Sequence, residues 1–521
     1  MNDTAPRIGK IILRDFRFFP GNETYTFDLG DDGKNLLLFG ENGCGKSSLF
    51  HALRLLLRES APGQEFAAYR NVFNPGEEGT IAVELTAGMP QDFKWEHGEP
   101  HPMTSGDIAF LELARRITFL DYKALLRTNL VHEDADCVNL FSLLVETLLR
   151  DAEWPNGRTV LRHWDAVQHF EVPEPPPEPD EDEEEFPSAA EHINAAAQRF
   201  MVQLDEFLNV SAGGDRGLVA RANELLAKLT SDLEVQTEVS TLQVKVVSED
   251  AGVHPHTFDG AEVRLKAVYA GHSIDHPALF LNEARLTAIA LALYLAAAEA
   301  TTPRTGGLQM PRLLVLDDVT IGLDSVNRLP VLRMLNEEFS DWQVLLMTFD
   351  RVWFDLAREY TENTGRWRYL TLRELPALRG QPGRPVVEPC ADLLNRAEAH
   401  LHAGDLMAAA VYIRAAFETR VKNVCRDHGI QVAYKPDPRD IRIDQLWAAI
   451  VERQKTREET GDIGFINPCL MNDVEAVRSV VLNRLSHSGT PLLTSNEVKM
   501  ALDTVRRLQH HRFKKSSRPA A

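Results

Sequence analysis

The sequence is organised around residues 36–57, which read LLLFGENGCGKSSLFHALRLLL. The apolar run 36–39 predicts a buried strand, the glycine-rich segment 40–47 predicts a tight turn, and the residues after it predict a helix. In that order, backbone N–H groups of the turn point at phosphate oxygens, while a lysine reaches the β- and γ-phosphates and a serine hydroxyl contacts Mg²⁺. The sequence therefore predicts a nucleotide-binding P-loop, formed by Gly40, Asn42, Gly43, Gly45, Lys46, Ser47 and Ser48.

Composition is typical of a soluble protein with more than one domain. The chain has 521 residues, 44% hydrophobic and 26% charged, which is enough for two to four domains. No apolar segment follows the polar N-terminus, and the most apolar stretch, 286–298, is too short to span a membrane. The five cysteines include no Cys-x-x-Cys pair. We therefore expect a cytoplasmic protein without a membrane segment or a structural zinc site.

The formal net charge of −21 argues against a general affinity for nucleic acid. Part of that charge is local, because residues 171–185 carry nine carboxylates and five prolines. Such a segment cannot bury apolar surface and predicts a self-repelling linker over 171–187. Segment 506–518 is basic, so any contact with RNA or DNA should be local rather than spread over the whole chain.

A second apolar run, 313–316, ends in the two carboxylates Asp317 and Asp318. At the end of a buried strand, Asp317 can hold the Mg²⁺ shell together with Ser47, and Asp318 can polarise the attacking water. Upstream, Asn282 opens a long apolar helix, and asparagine is a favoured N-cap residue. The N-terminus of that helix is therefore suited to face a phosphate.

Together with the sequence ILRDFRFF at 12–19, these motifs resemble the SMC/RecF-like branch of ABC ATPases over about residues 7–85 and 262–372. The resemblance implies that two heads sandwich two ATP molecules, so that the chain forms a homodimer or a higher oligomer. It also implies that Asn282 belongs to the signature that meets the γ-phosphate of the partner subunit. Asp324 then belongs to the D-loop.

Three residues depart from the pattern of that family. Asn282 stands where the signature has a serine, Asp318 where the catalytic glutamate is usual, and Phe349 where the switch histidine is usual. No glutamine can be assigned to a Q-loop. The resemblance implies ATP and Mg²⁺ as cofactors, and the shorter base Asp318 predicts slow hydrolysis.

Beyond a linker rich in Gly, Pro and Arg, the pattern is helical to residue 513 and predicts a separate all-α domain. In the helix 405–428, Arg414 and Glu418 share one face beside an apolar stripe. A later helix, 472–488, places His487 on its flank near its end, whereas Arg478 lies half a turn away. If the three side chains converge, they are sufficient to cleave RNA. His487 can transfer protons, Arg414 can neutralise a phosphorane, and Glu418 can orient the other two side chains or share a proton.

The stretches AAVYIRAAFE at 409–418 and LNRLSH at 482–487 resemble the HEPN domain, although many HEPN nucleases have arginine at the position of Leu482. The combination with an ABC-type head is similar to bacterial anticodon nucleases. It implies that Arg414, Glu418 and His487 form a ribonuclease site that the ATPase restrains. Each of these residues also has an interpretation without catalysis. Arg414 and Glu418 can form a surface ion pair, and His487 can interact favourably with the dipole of its helix.

We therefore expect an α/β fold: an ABC-type P-loop head with a short helical insertion, followed by an all-α HEPN-like bundle. The predicted segments are an N-terminal lobe (1–87), a mostly helical insertion (88–261), a C-terminal lobe (262–378) and the bundle (391–513). The preferred function is an anti-phage ATPase that controls its own RNA-cleaving domain. The alternatives are a sensor or scaffold that recruits or restrains a separately encoded nuclease effector, and a RecF-like DNA-repair ATPase.

Overall fold

A computed structural model describes most of the chain, in two compact units, Met1–Pro389 and Cys390–Ala521. The predicted α/β class with a helical C-terminal region is confirmed. The residues that the structure describes are 6–58, 64–86, 93–102, 108–128, 138–154, 156–171, 188–210, 217–246, 256–302, 310–375, 383–390, 393–432, 442–461, 464–478 and 493–514.

The first unit contains all the strands of the described chain. They are β1 (Ile8–Arg14), β2 (Tyr25–Asp28), β3 (Asn35–Gly40), β4 (Thr80–Leu85), β5 (Phe93–Glu96), β6 (Ile117–Asp121), β7 (Leu233–Val239), β8 (Gln243–Val246), β9 (His256–Asp259), β10 (Val263–Tyr269), β11 (His272–Ile274), β12 (Leu313–Asp317), β13 (Gln343–Thr348), β14 (Trp367–Leu375) and β15 (Arg384–Pro389). Its helices are α1 (Lys46–Leu57), α2 (Ile108–Ala114), α3 (Tyr122–Leu126), α4 (Phe141–Leu143, continued by a π-helical segment Leu144–Leu148), α5 (Val160–Gln168), α6 (Ala189–Asn209), α7 (Leu218–Leu229), α8 (Pro277–Phe280), α9 (Glu283–Thr301), α10 (Ser325–Glu338) and α11 (Arg351–Thr361), with 3₁₀ turns at Phe66–Tyr69 and Glu362–Thr364.

A six-stranded sheet forms the centre of this unit, in the order β15-β14-β3-β13-β12-β6. All neighbours are parallel except β14 and β15. The strands β3, β12 and β13 are buried along their whole length, as expected for parallel strands covered on both faces. Because parallel strands end at the same edge, the loops after β3, β6, β12 and β13 lie together there.

The segment 88–261, predicted to be a mostly helical insertion, also contains strands. The strand β6 pairs in parallel with β12, from Ile117 opposite Leu313 to Asp121 opposite Asp317, and so belongs to the central sheet. The sequence pattern was misleading because Phe110, Leu113, Ile117 and Leu120 follow one another at helical spacing. All four are buried, but the first two lie on α2 and the last two on β6.

An antiparallel sheet in the order β2-β1-β4-β5 packs its apolar face into the same core as α1. The turn after β1 is held by Asp15, which is fully buried and accepts hydrogen bonds from Arg70 Nε (2.5 Å) and the Asn71 N–H (3.1 Å). That turn places Phe18 against the P-loop, since a Cβ at Gly45 would lie 3.0 Å from Phe18 Cδ1. Gly45 also has a φ of 110°, so a side chain is excluded there on both grounds.

The apolar helix α9 is a core element of the first unit. It is the single helix in the described parts of the chain that is long and apolar enough to cross a membrane, but 78% of its most apolar window is buried. Arg221 on α7 donates to Glu299 at the end of α9 (2.6 Å) and to Glu338 on α10 (3.0 Å). These ion pairs hold α7 onto the two helices that lead into and out of β12.

The second unit is helical throughout its described residues. Its helices are α12 (Leu393–His402), α13 (Leu406–Asp427), α14 (Ile443–Glu459), α15 (Pro468–Val477) and α16 (Ser495–His510). The α13 stripe predicted from sequence packs into a core with Trp447 of α14, whose ring lies 5.7 Å from that of Phe417. The buried Trp447 Nε1 donates to Glu475 on α15 (2.7 Å), so this core also has a satisfied polar contact.

Candidate functional site

The P-loop forms a phosphate-sized cradle between β3 and α1. Gly43 and Gly45 have φ values of 89° and 110°, and a Cβ at Gly40 would lie 2.5 Å from Cys44 Sγ. Helix α1 begins at Lys46 without a side-chain cap, and its first backbone bond runs from the Leu49 N–H to the Gly45 carbonyl. The N–H groups of the first turn therefore have no partner within the helix, which is the arrangement that binds phosphate.

Lys46 is almost fully buried inside this loop. Its Nζ donates to the carbonyl oxygens of Gly40 (2.7 Å) and Glu41 (3.3 Å) and lies 4.0 Å from an Asp318 carboxylate oxygen. The Phe349 ring centroid is 6.0 Å from the same nitrogen. The hydrogen bonds of the ammonium group are thus made to two neutral carbonyl oxygens, and the charged phosphate oxygens of a nucleotide would be stronger acceptors.

The end of β12 brings Asp317 to the first turn of α1. Ser47 Oγ donates to Asp317 Oδ2 at 3.2 Å, although the two residues are 270 positions apart. The second oxygen, Asp317 Oδ1, is buried and has no hydrogen-bond partner among the residues that the structure describes. Burial, with a smaller contribution from Asp318, raises the pKa of the Asp317 carboxyl to about 7.

These features fit a divalent cation bound between Ser47 and Asp317. A buried carboxylate oxygen without a partner, next to a hydroxyl and to further carboxylates, is a site that a hard cation stabilises. Among the residues that the structure describes, no three His, Cys, Asp or Glu side chains converge as a metal cage. Mg²⁺ needs few protein ligands because water and substrate phosphates complete its shell, so the Ser47 hydroxyl and the Asp317 carboxylate are enough to hold it.

Asp318 is fixed by the end of β13. Its backbone has a left-handed φ of 54°, its N–H donates to the Met347 carbonyl, and its Oδ1 accepts from the Phe349 N–H, both at 3.0 Å. Burial raises the pKa of the Asp318 carboxyl. A carboxylate that is held in place by hydrogen bonds and partly desolvated is suited to accept a proton from a water attacking a phosphate.

Asn282 lies at the N-cap of α9, where its Oδ1 accepts from the Arg285 N–H at 3.0 Å. The side chain is exposed, as are the two apolar residues before it in α8, Leu279 (75%) and Phe280 (67%). The N-terminus of α9 therefore opens onto solvent beside an apolar surface.

Asp324 lies at the N-cap of α10 and its side chain makes no capping hydrogen bond. The preceding loop packs on the first turns of α9, because a Cβ at Gly322 would lie 2.4 Å from Thr287 Oγ1. Asn282 begins α9 and Asp324 begins α10. The two helix N-termini are therefore linked by the contact between the loop before α10 and the first turns of α9.

Two residues of this edge were missed by the sequence analysis. Asp121 ends β6 beside Asp317; its Oδ1 caps α3 through the Ala124 N–H (2.7 Å), and its charge contributes to the raised pKa of Asp317. A short apolar run that ends in a carboxylate, the signal that identified Asp317, was also present at 117–121. Arg328 was missed because its partner Asp350 is 22 positions away and no local pattern joins them.

In the second unit, Arg414 and Glu418 form an ion pair on α13, with Arg414 Nε 2.9 Å from Glu418 Oε1 and both side chains about one-third exposed. His487 and Asn483 lie outside the described residues, so their position relative to this pair stays a prediction. Arg478 has its own partners, donating to Glu475 and Asp444 on α15 and α14.

Comparison with known proteins gives one sequence match. A family model described as an AAA domain matches residues 10–86, a range that includes β1, the P-loop, α1 and β4. None of the curated proteins matches the chain.

The solved structures that match the chain include three ATPase-type heads. They are the Smc head domain with an extended coiled coil bound to the C-terminal domain of ScpA from Pyrococcus furiosus (12% identity, 76% of this chain and 99% of that chain, TM-score 0.41), the recombination mediator protein RecF with ATP (15%, 67% and 93%, 0.39) and the SMC head domain from Thermotoga maritima (12%, 74% and 99%, 0.33). TM-scores this low do not by themselves assign the chain to a family.

Proposed function

We propose that the first unit is an ATPase head of the ABC type, similar to SMC and RecF heads, that binds ATP with Mg²⁺ and hydrolyses it. The observation that carries this proposal is the meeting of two distant motifs: Ser47 with Asp317, and Lys46 with Asp318. Each pair joins a side chain on α1 that would bind Mg²⁺ or phosphate to a carboxylate at the end of β12. A merely structural glycine turn requires neither of these contacts.

In this proposal each residue has one role. The N–H groups of the P-loop and the Lys46 ammonium bind the β- and γ-phosphates. Ser47 and Asp317 hold Mg²⁺, which neutralises phosphate charge when bound. Asp318 orients the attacking water and takes its proton, and Phe349 offers no side-chain hydrogen bond to the γ-phosphate. The short side chain of the base Asp318 and the missing hydrogen-bond donor at Phe349 both favour slow turnover.

Pairing of two copies of the chain is part of the proposal. Exposed apolar side chains flank the motifs that would face a second head: Leu279 and Phe280 precede Asn282, Ile321 precedes Asp324, and Phe349 lies by Lys46. Exposed apolar side chains beside such motifs are what a symmetric dimer would bury. ATP held between the P-loop of one copy and the α9 N-terminus of the other would link the two.

The test is ATP binding by Lys46→Ala. Removal of the buried ammonium should abolish measurable binding of labelled ATP, while Lys94→Ala, an exposed lysine on β5, should bind like the parent. Undiminished binding by Lys46→Ala would end the ATPase assignment. Circular dichroism of both variants checks that the fold is intact.

We propose that the second unit cleaves RNA under the control of the head, and that this activity acts in anti-phage defence. The Arg414–Glu418 pair on α13 supports this role, because both side chains are about one-third exposed and remain within reach of a substrate. The alternative is a scaffold that binds a separately encoded nuclease effector, and an ion pair with no catalytic role fits that alternative equally well. A RecF-like DNA-repair ATPase is compatible with the head alone.

Expression in bacteria separates these roles. If the unit cleaves RNA, growth arrest and RNA fragments should disappear in His487→Ala, with a rate loss of roughly 10²–10⁴. Arg414→Ala should lose activity too, and Arg453→Ala, an exposed arginine on α14, should not. RNA fragments that persist in His487→Ala would refute the catalytic role of His487, and a parent chain that causes no RNA cleavage would leave the scaffold role.

A further inference from the structure

Arg328 joins two loops at the nucleotide edge of the first unit. It lies on the first turn of α10, where its Nε donates to the Leu323 carbonyl at 2.9 Å. Its Nη1 donates to Asp350 Oδ2, at the start of α11. The Arg328 side chain is only 19% exposed and the Asp350 side chain 31% exposed, so this pair is shielded more than an ordinary surface ion pair.

Asp350 in turn fixes the segment that holds the proposed base. Its Oδ1 caps α11 by accepting from the Trp353 N–H (3.0 Å), and its own N–H donates to Thr348 Oγ1 (3.1 Å). The residue between them, Phe349, donates its N–H to Asp318 Oδ1 (3.0 Å). A continuous series of contacts therefore runs from Leu323 through Arg328, Asp350 and Phe349 to Asp318.

We propose that Arg328 is a positioning residue that makes the alignment of Asp318 depend on the placement of the Leu323-Asp324 segment. The proposal rests on the proposed ATPase function. Asp318 has a left-handed backbone, and such a conformation persists only where its surroundings hold it. The rigid, planar guanidinium can keep two acceptors at a fixed separation, so a shift of Leu323 is passed to Asp350 and hence to the Phe349 N–H.

Since Asp324 is exposed at the surface where a second copy would bind, this arrangement links pairing of heads to hydrolysis. A purely structural pair between α10 and α11 would need no contact with the Leu323 carbonyl. It would also contribute to stability rather than to turnover. The two roles can therefore be separated by measuring ATP affinity and kcat independently.

The experiment compares Arg328→Gln, Arg328→Lys and Asp350→Asn with the matched control Arg333→Gln, an exposed arginine on the same helix. Isothermal titration calorimetry gives the Kd for ATP with Mg²⁺, and phosphate release gives kcat. We expect kcat of Arg328→Gln to fall between about tenfold and a hundredfold, as for a small misplacement of a reacting group. Its Kd should stay within about twofold of the parent, Arg328→Lys should recover part of the loss, and Arg333→Gln should match the parent.

Asp350→Asn keeps a good N-cap for α11 and so preserves the fold while removing the charge pair. Its kcat should fall like that of Arg328→Gln, and the double variant should lose no more than either single one. Parental kcat in Arg328→Gln or Asp350→Asn, or additive losses in the double variant, would overturn this inference alone. A parent chain without any turnover would overturn both this inference and the proposed hydrolysis.

Discussion

Substitution of Asn282 separates capping of α9 from pairing of two heads. Asn282→Ala removes the hydrogen bond from the Arg285 N–H to Oδ1, and loss of such a cap costs about 1 kcal/mol of stability. Asn282→Asp keeps an oxygen at the same position, so its stability should stay within about 0.5 kcal/mol of the parent. The two variants therefore differ in stability in a known direction.

For pairing of two heads, we expect the reverse order, with Asn282→Asp more impaired than Asn282→Ala. An aspartate at 282 would set a carboxylate against the γ-phosphate bound by the other copy. At a separation of about 6 Å and an effective dielectric constant of about 20, this repulsion is about 3 kcal/mol. Because a symmetric pair of heads contains this contact twice, ATP-dependent dimerisation should then weaken at least about a hundredfold. Asn282→Ala loses only a neutral contact and should weaken it less than tenfold.

Urea unfolding and light scattering over a range of chain concentrations, with ATP and Mg²⁺, measure the two effects. The Asp318→Ala background prevents consumption of ATP during the measurement. Dimerisation of Asn282→Asp that equals the parent, or that exceeds Asn282→Ala, would refute the placement of α9 against a phosphate of the partner subunit.

Three further predictions concern turnover and stability. Asp318→Ala should bind ATP like the parent but hydrolyse it at least about a hundredfold more slowly, as phosphate release would report; hydrolysis at the parental rate would require another base. Burial, aided by Arg17 and Arg54, lowers the pKa of His51 from 6.5 to about 4. The unfolded chain then binds a proton at His51 that the folded chain does not, so stability falls as pH drops from about 6.5 towards 4. His51→Gln should therefore lose less thermal stability between pH 7.5 and 5.5 than the parent, and equal losses would contradict the assignment. Phe417→Ala should destabilise the second unit by about 3–5 kcal/mol in urea unfolding, because the ring is fully buried against Trp447; a loss below about 1 kcal/mol would contradict that packing.

The sequence could predict the parts of the site whose chemistry is local. The P-loop is a strand, a turn and a helix in immediate succession, so its residues and their order define it. Asp317 and Asp318 follow an apolar run and therefore lie at a strand end. In both cases the residues that carry the chemistry lie within a few positions of the end of a strand.

Contacts between distant segments could not be predicted in this way. The strand β6 was hidden by helical spacing that continues across the break between α2 and β6, and only its pairing with β12 identifies it. The Arg328–Asp350 pair depends on how α10 and α11 pack around β13. The left-handed backbone of Asp318 is set by contacts with Met347 and Phe349. Tertiary packing decides all three.

The position of β3 has a consequence for synthesis of the chain. This strand, which carries the P-loop, has β13 on one side and β14 on the other, and both are translated about 300 residues later. At about 5–20 residues per second, the ribosome needs roughly 15–60 s to deliver them. During that time both edges of an apolar strand are open, which invites aggregation or chaperone binding. A transcript truncated before residue 343 should therefore yield insoluble protein rather than a smaller nucleotide-binding fragment.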